Sequence, residues 1–275
     1  MMKRTITALG AIVVMASTSS MSYGQEHNAC ENPRGIYKLM TLINKQGNTI
    51  KAPFDQYKIC TDSVTMMLNV NGNMFSLGQN DSRVFNYTGE EPDAQNATAT
   101  RIFDSNAEHF TLKWWSTTPN HLYFPHNDWC TEHYQANQYS ENGKKILDAL
   151  ISPPARDPKN PLIGTWRMIG MVDELRHTKQ ELKRIREKPL DGLYTIFTPE
   201  CIVAIGRNSG RLYPTPNPYD KKVFKVGNEE NKITWLSSNL IAVEIHQGYR
   251  TDYEILERVT HGTAFDGIAS HYATH

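Results

Sequence analysis

Along most of the chain, apolar and polar positions alternate with a period of two over short runs, which predicts β-strands. Ile241, Val243 and Ile245 fall on one face of such a run, and Ala242, Glu244 and His246 on the other. Val64, Met66, Leu68 and Val70 alternate in the same way. Turn signals separate the runs: Asn71-Gly72, Asn208-Ser209-Gly210, Val226-Gly227-Asn228, and the loop carrying Pro214, Pro216 and Pro218. Short strands at this spacing predict an all-β antiparallel sandwich or barrel. Two segments break the pattern. Lys144 to Ile151 is rich in helix formers and stops before Pro153-Pro154, beyond which the chain reads as a linker. From about Asp173 to Lys188, Leu175, Leu182 and Ile185 fall near one face of a helix that is otherwise mostly charged. That helix is expected to lie solvated over a barrel end, or else to act as a lid presenting cations such as Arg176 and Arg186 to a ligand.

The same pattern is written twice. Gly35-Ile36-Tyr37-Lys38-Leu39 recurs as Gly164-Thr165-Trp166-Arg167-Met168, and Tyr57-Lys58-Ile59-Cys60-Thr61 as Tyr194-Thr195-Ile196-Phe197-Thr198. Gly72-Asn73-Met74-Phe75 answers to Gly210-Arg211-Leu212-Tyr213, and Trp114-Trp115-Ser116-Thr117 to Trp235-Leu236-Ser237-Ser238, in the same order. A repeat of roughly 120 to 140 residues is the size of a whole domain, so two duplicated domains are expected rather than a solenoid.

The first residues carry Lys3 and Arg4, an uncharged stretch from Ile6 to Ala16, and small residues ending in Ser22-Tyr23-Gly24. This is the layout of a secretory signal peptide over residues 1–24. The stretch falls short of the roughly 18 apolar residues of a membrane span. Lys plus Arg and Asp plus Glu each number 29. No basic footprint points to nucleic acid. The four cysteines are Cys30, Cys60, Cys130 and Cys201. Export permits disulfides among Cys30, Cys60 and Cys130, either Cys30 with Cys130 or Cys60 with Cys130, but spacing does not fix the pairing. Cys201, in an apolar run with Ile202, Val203 and Ile205, is expected as a buried thiol.

The Gly-x-Trp at Gly164-Thr165-Trp166, with Arg258 in the last strand of its copy, resembles the lipocalin-like, or calycin, pattern. The chain is similar to secreted bacterial lipocalin-like proteins of unestablished role. The resemblance implies two tandem up-and-down antiparallel barrels, with a short helix after the first and a helical insertion in the second. The expected boundaries are 25–140 for the first barrel, 141–161 for helix and linker, 162–261 for the second barrel and 262–275 for a flexible tail. Gly164, Trp166 and Arg258 would form a barrel floor, the guanidinium stacking on the indole. Gly35 and Tyr37 would occupy the corresponding floor of the first copy, which has Tyr for Trp and no matching Arg.

Chemistry is sparse. His121, His126, Asp128, Cys130, Glu132 and His133 crowd one stretch that could ligate a metal or haem, but a hairpin with an exposed turn is the expected reading. There is no Gly-x-Ser-x-Gly or HExxH motif. Glu90-Glu91 and Glu229-Glu230 recur beside glycines as loop carboxylates. No catalytic residue, metal or cofactor is assigned. The expectation is an exported, non-enzymatic binding protein, periplasmic or secreted, for a small apolar or amphipathic ligand. That ligand would be held by Trp166, Tyr194, Ile196 and Tyr213 with Arg176 or Arg186 at the mouth. The alternative is a protein-interaction module with filled barrels and an unknown partner. A haem or metal protein and an enzyme rank behind both.

Overall fold

The computed structural model describes residues 34–61, 64–78, 83–86, 96–103, 106–113, 115–118, 120–126, 130–188, 190, 192–206, 209–214, 222–226, 229–247 and 250–273. The expected signal peptide, Cys30, Glu90-Glu91 and Asp128 lie outside them. The described residues form antiparallel β-structure with three short helices. None of these helices is long and apolar enough to cross a membrane.

In the first half, β1 (Gly35–Asn44) lies between β3 (Asp55–Cys60) and β11 (Cys130–Ala136), and the short β2 (Thr49–Lys51) folds back on its end. Strand β4 (Val64–Asn71) pairs with β3, then with β5 (Met74–Leu77) at one end and β6 (Arg83–Asn86) at the other. The series runs on through β7 (Asn96–Phe103) to β8 (Asn106–Lys113). From β9 (Trp115–Thr118) it passes to β10 (His121–His126) and back to β11. Helix α1 (Glu141–Ile151) follows, starting three residues before its expected position because Ser140 caps it, accepting from Gly143 N–H at 3.1 Å.

The second half repeats this order. Strand β12 (Gly164–Val172) lies between β13 (Tyr194–Phe197) and β19 (Arg250–Arg258), and β13 leads to β14 (Cys201–Ile205) and β15 (Ser209–Pro214). From the other side β16 (Val223–Val226), β17 (Glu229–Ser237) and β18 (Leu240–Gln247) pair in turn up to β19. Registers coincide between the halves. Gly35 faces Cys60 as Gly164 faces Phe197, and the β1–β11 ladder slips between Leu39 and Thr41 where the β12–β19 ladder slips between Met168 and Gly170. Gly35 and Gly164 both adopt a left-handed φ, 124° and 127°, a conformation that favours glycine and accounts for the first residue of each motif.

Strands β5 and β15, which the sequence repeat makes equivalent, pair with each other: Ser209 faces Ser76, Gly210 faces Phe75 and Arg211 faces Met74. This joins the two halves into one continuous sheet. One face of it carries a core drawn from both: Tyr57, Ile59, Met66, Leu68, Phe75 and Leu77 with Tyr194, Ile196, Val203, Ile205 and Leu212. Helix α1 and helix α3 (Ala264–Ala273) cover that core together. Beneath α1, the Tyr57 hydroxyl accepts from Ser140 N–H at 2.9 Å, and a Cβ on Gly143 would sit 2.7 Å from Tyr57 Cζ. Beneath α3, a Cβ on Gly267 would sit 2.9 Å from Tyr194 Cζ and collide with its hydroxyl.

Three expectations are corrected. Residues 262–275, expected as a flexible tail, contain α3, whose Ala264, Phe265 and Ile268 are buried. The reason is a capping box, in which Thr263 N–H donates to Asp266 Oδ2 at 2.8 Å and Asp266 N–H to Thr263 Oγ1 at 3.1 Å. The charged helix, α2 (Thr178–Glu187) preceded by a 3-10 turn over Leu175–His177, covers no barrel end. It packs Leu182 and Ile185, with Leu175, on the outer face of β12, β18 and β19 against Ile169, Ala242 and Ile255. Ala242 is therefore buried beneath this helix. Finally, Cys60 and Cys130 form no disulfide with each other: Cys60 faces Gly35 at one end of β1 and Cys130 faces Asn44 at the other. Cys201 is buried, as expected, with Thr198 Oγ1 3.3 Å from its sulfur.

The joining strands allow little bulk. A Cβ on Gly210 would lie 2.6 Å from the Ala204 carbonyl oxygen and overlap the Phe75 ring. Gly210→Val is expected to lower stability in urea titration by about 1–3 kcal/mol or more, as overpacking does. Gly267→Ala should behave similarly, with part of the loss recovered in the Gly267→Ala/Tyr194→Phe double variant.

Candidate binding site inside the first half

Alternation along β3 sends Tyr57 and Ile59 into the shared core, so Gln56, Lys58 and Cys60 point the other way. That second face is also buried. It packs Tyr37, Leu39, Cys60, Leu122, Phe124 and Tyr134 together, and within it Gln56 and Lys58 are 0% and 2% exposed. A lysine there cannot remain charged unpartnered. Glu132, reaching in from β11, meets it: Lys58 Nζ lies 2.8 Å from Glu132 Oε2. The ammonium also sits 3.8 Å from the Phe124 ring centroid and 3.9 Å from that of Tyr134, a double cation–π contact in a dry setting. The two rings meet edge to face at 5.6 Å.

Tyr134 donates its hydroxyl proton to Glu132 Oε2 at 2.9 Å, so its oxygen acts only as acceptor towards Gln56. Gln56 therefore turns Nε2 to Tyr134, with Met67 Sδ 3.4 Å away, and leaves its Oε1 buried without a partner. Directly across the ladder stands Asn69, and its Oδ1 is likewise buried and unpartnered. Cross-strand neighbours on one face are close enough to act on one molecule. Two adjacent carbonyl acceptors, a buried ion pair and aromatic walls thus share one interior. Burial, and then the Glu132 carboxylate, push the Tyr134 phenol well above its ordinary range.

The sequence-predicted site residues divide between faces. Trp166 lies inside the second half, fully buried, donating Nε1–H to the Leu162 carbonyl at 2.8 Å. Arg258 covers it at 4.1 Å from the ring and donates to Ile163 O at 2.9 Å and to Pro161 O, so the guanidinium lies over the indole. Burial, and then Arg156, lower the Arg258 pKa to about 10. Tyr213 packs partly buried on the same interior as Trp166. Tyr194 and Ile196 do not; they face the shared core under α1 and α3, and their neighbour Phe197 takes the interior position. Arg176 pairs with Glu174, and Arg186 with Glu257 at 2.9 Å beside the sheet face on which α2 packs. In the first half Tyr37 is buried like Trp166, its hydroxyl donating to Arg34 O at 3.0 Å.

The histidine-rich stretch is a hairpin, as expected, and its alternation separates the proposed ligands. Cys130, Glu132 and Tyr134 share one face of β11. His133 stands on the other, stacked on Tyr123 at 4.6 Å, with its Nε2 2.8 Å from His121 Nδ1. Among the described residues, no group of three or more His, Cys, Asp or Glu side chains could hold a metal ion. Lys58, Gln56 and Asn69 escaped attention because a lysine in a strand reads as solvated; the signal was Glu132, two residues from Tyr134 on the same inward face.

No protein-family model matches the chain, and no curated protein matches it. Among solved structures it is similar to the DNA polymerase III subunit beta from Borrelia burgdorferi in complex with a natural product, at 14% identity over 83% of this chain and 56% of that one. The chain thus spans just over half of that protein's length, and a TM-score of 0.17 carries no argument about fold or role.

Removing one partner of a buried pair strands the other charge. Lys58→Met or Glu132→Leu alone is expected to cost about 3–5 kcal/mol in urea titration, and the double variant much less than their sum.

Proposed function

We propose that the chain is an exported binding protein built of two lipocalin-like barrels in tandem, and that the first barrel receives the polar end of a small amphipathic ligand. Support for the first barrel comes from its pairing order. Beginning at β1, partners run through β3, β4, β6 and β7 to β8. One residue beyond β8, β9 begins and pairs back through β10 and β11 to β1. Support for the second comes from its matching registers, left-handed glycine and Arg258-covered Trp166. Export rests on the signal-like residues 1–24.

The observation that carries the binding reading is the pair of orphaned acceptors, Gln56 Oε1 and Asn69 Oδ1, beside the Lys58–Glu132 pair. Apolar residues of similar volume would fill a purely structural core at no loss of stability. A ligand bearing O–H or N–H donors on an apolar body satisfies both acceptors and lies against Phe124 and Met67. Nothing in this constellation calls for bond-making chemistry, so the reading is non-enzymatic.

Native mass spectrometry of the protein purified from its secretory compartment is expected to show an added mass that denaturation releases. Gln56→Leu should lose that mass while keeping or raising the melting temperature, because it removes a buried unsatisfied oxygen. Absence of any added mass, with no thermal shift from fatty acids, sterols or haem, would overturn the binding reading in favour of a protein-interaction module.

A further inference from the structure

The two halves place a glutamate at the same interior position but neutralise only one of them. Glu132 faces Leu42 and Phe124 across its two ladders; Glu254 faces Met171 and Val243 in the corresponding registers. Glu254 points inward, because its neighbours Tyr253 and Ile255 pack outward under α2 while Leu256 joins Trp166. In the first half the ammonium of Lys58 meets this carboxylate, and the residue in the Lys58 position of the second half, facing Trp166 as Lys58 faces Tyr37, is Thr195. Two residues around it shrink as well. Phe124 becomes Val243 and Tyr134 becomes Leu256. Lys58, Phe124 and Tyr134 are thus replaced by smaller side chains in the second half, while Leu42, opposite the glutamate, becomes Met171 and Tyr37 becomes Trp166.

Other charges on that interior face have partners of their own: Arg258 covers Trp166, and Arg211 lies 5.4 Å over the Tyr213 ring. Asp252, two residues along β19, is held by Arg250 Nε at 2.7 Å. Lys232 and His246 pair with Glu244 on the outer face, at 3.3 and 3.0 Å. Among the described residues no cation meets Glu254, and burial alone raises its pKa. A second polar atom waits on the same inner surface: Asn231, two residues from the inward Ile233 on β17, keeps Nδ2 buried and without a partner. Met171, opposite Glu254, is 41% exposed, which puts this level of the barrel near an opening.

We propose that the interior of the second barrel binds an amphipathic amine, whose ammonium pairs with Glu254 where Lys58 pairs with Glu132 in the first, and whose neighbouring oxygen accepts from Asn231. An amino alcohol on an alkyl chain meets both groups, with Val243, Ile233 and Met171 against its chain. The inference rests on the barrel reading of the second half and is independent of the ligand site in the first.

The test is calorimetric titration of the full-length mature protein, stripped of bound lipid, with 2-aminooctan-1-ol, and with octan-1-ol and octanoate as controls. The amine is expected to bind at least tenfold more tightly than either control. Glu254→Gln should remove that preference, and Gln56→Leu should leave it intact. Thr195→Lys, which supplies an internal ammonium, should abolish amine binding in protein whose circular dichroism is unchanged. The carboxyl ¹³C resonance of Glu254 should titrate at lower pH once the amine is bound. Equal binding of amine and alcohol, or a preference that survives Glu254→Gln, would overturn the assignment. Loss of the preference in Gln56→Leu instead would move the amine to the first barrel while leaving the binding reading standing.

Discussion

The pairing of β5 with β15 is the constraint on which the rest of the structure depends. Once these equivalent strands join, the walls made by β3, β4, β13 and β14 no longer have a solvent side. One face of each is sealed by the shared core under α1 and α3, and the other by the interior of its own half. This explains why Gln56 to Cys60 and Cys201 to Val203 are buried without a break, a pattern more usual for strands covered on both sides than for the half-exposed walls of an isolated barrel. It also explains why the tyrosines of the repeat, Tyr57 and Tyr194, sit under glycines of the first helical turn: each helix is pressed onto the sheet as closely as its backbone allows.

Burial on both faces is what turns Lys58 from a surface residue into a chemical one. On a sheet open to water its ammonium would be solvated, whereas here it needs Glu132, and Glu132 in turn orients Tyr134 and Gln56. The network is ordered by donor and acceptor count, and it ends in an amide oxygen with nothing to bond. The second half has a glutamate at the same position and no lysine, and its interior holds aromatic pairs, with Trp166 edge-on to Trp235 and Phe197 to Phe224. The two halves thus place interiors of different polarity within the same strand order and register.

Much of this frame was legible in the sequence. Period-two alternation placed β4 and β18, the Gly-x-aromatic motif marked the left-handed glycines, and the resemblance in the last strand singled out Arg258. What escaped was whatever depends on the face a residue takes. Tyr194 and Ile196 are apolar strand residues suited to either side, and only the β5–β15 junction decides that they face the helices. Lys58 is hidden on the opposite face, against Phe124 and Tyr134 inside the first half. Helix α3 was missed although Thr263 and Asp266 spell its cap, because so short a segment after the last strand reads as a flexible tail. Arg176 and Arg186 looked like a lid because the apolar stripe of α2 does not say which sheet surface receives it.

Native-state amide hydrogen exchange along β5 and β15 tests the central claim most directly. If the two halves form one sheet over one core, the amides of Phe75, Leu77, Gly210 and Leu212 should be protected to the same free energy as those in the middle of β4 and β14, since core strands open only with the whole fold. Exchange of these four amides at rates typical of an open sheet edge, with β4 and β14 still protected, would show that the halves do not share a sheet and would contradict the account.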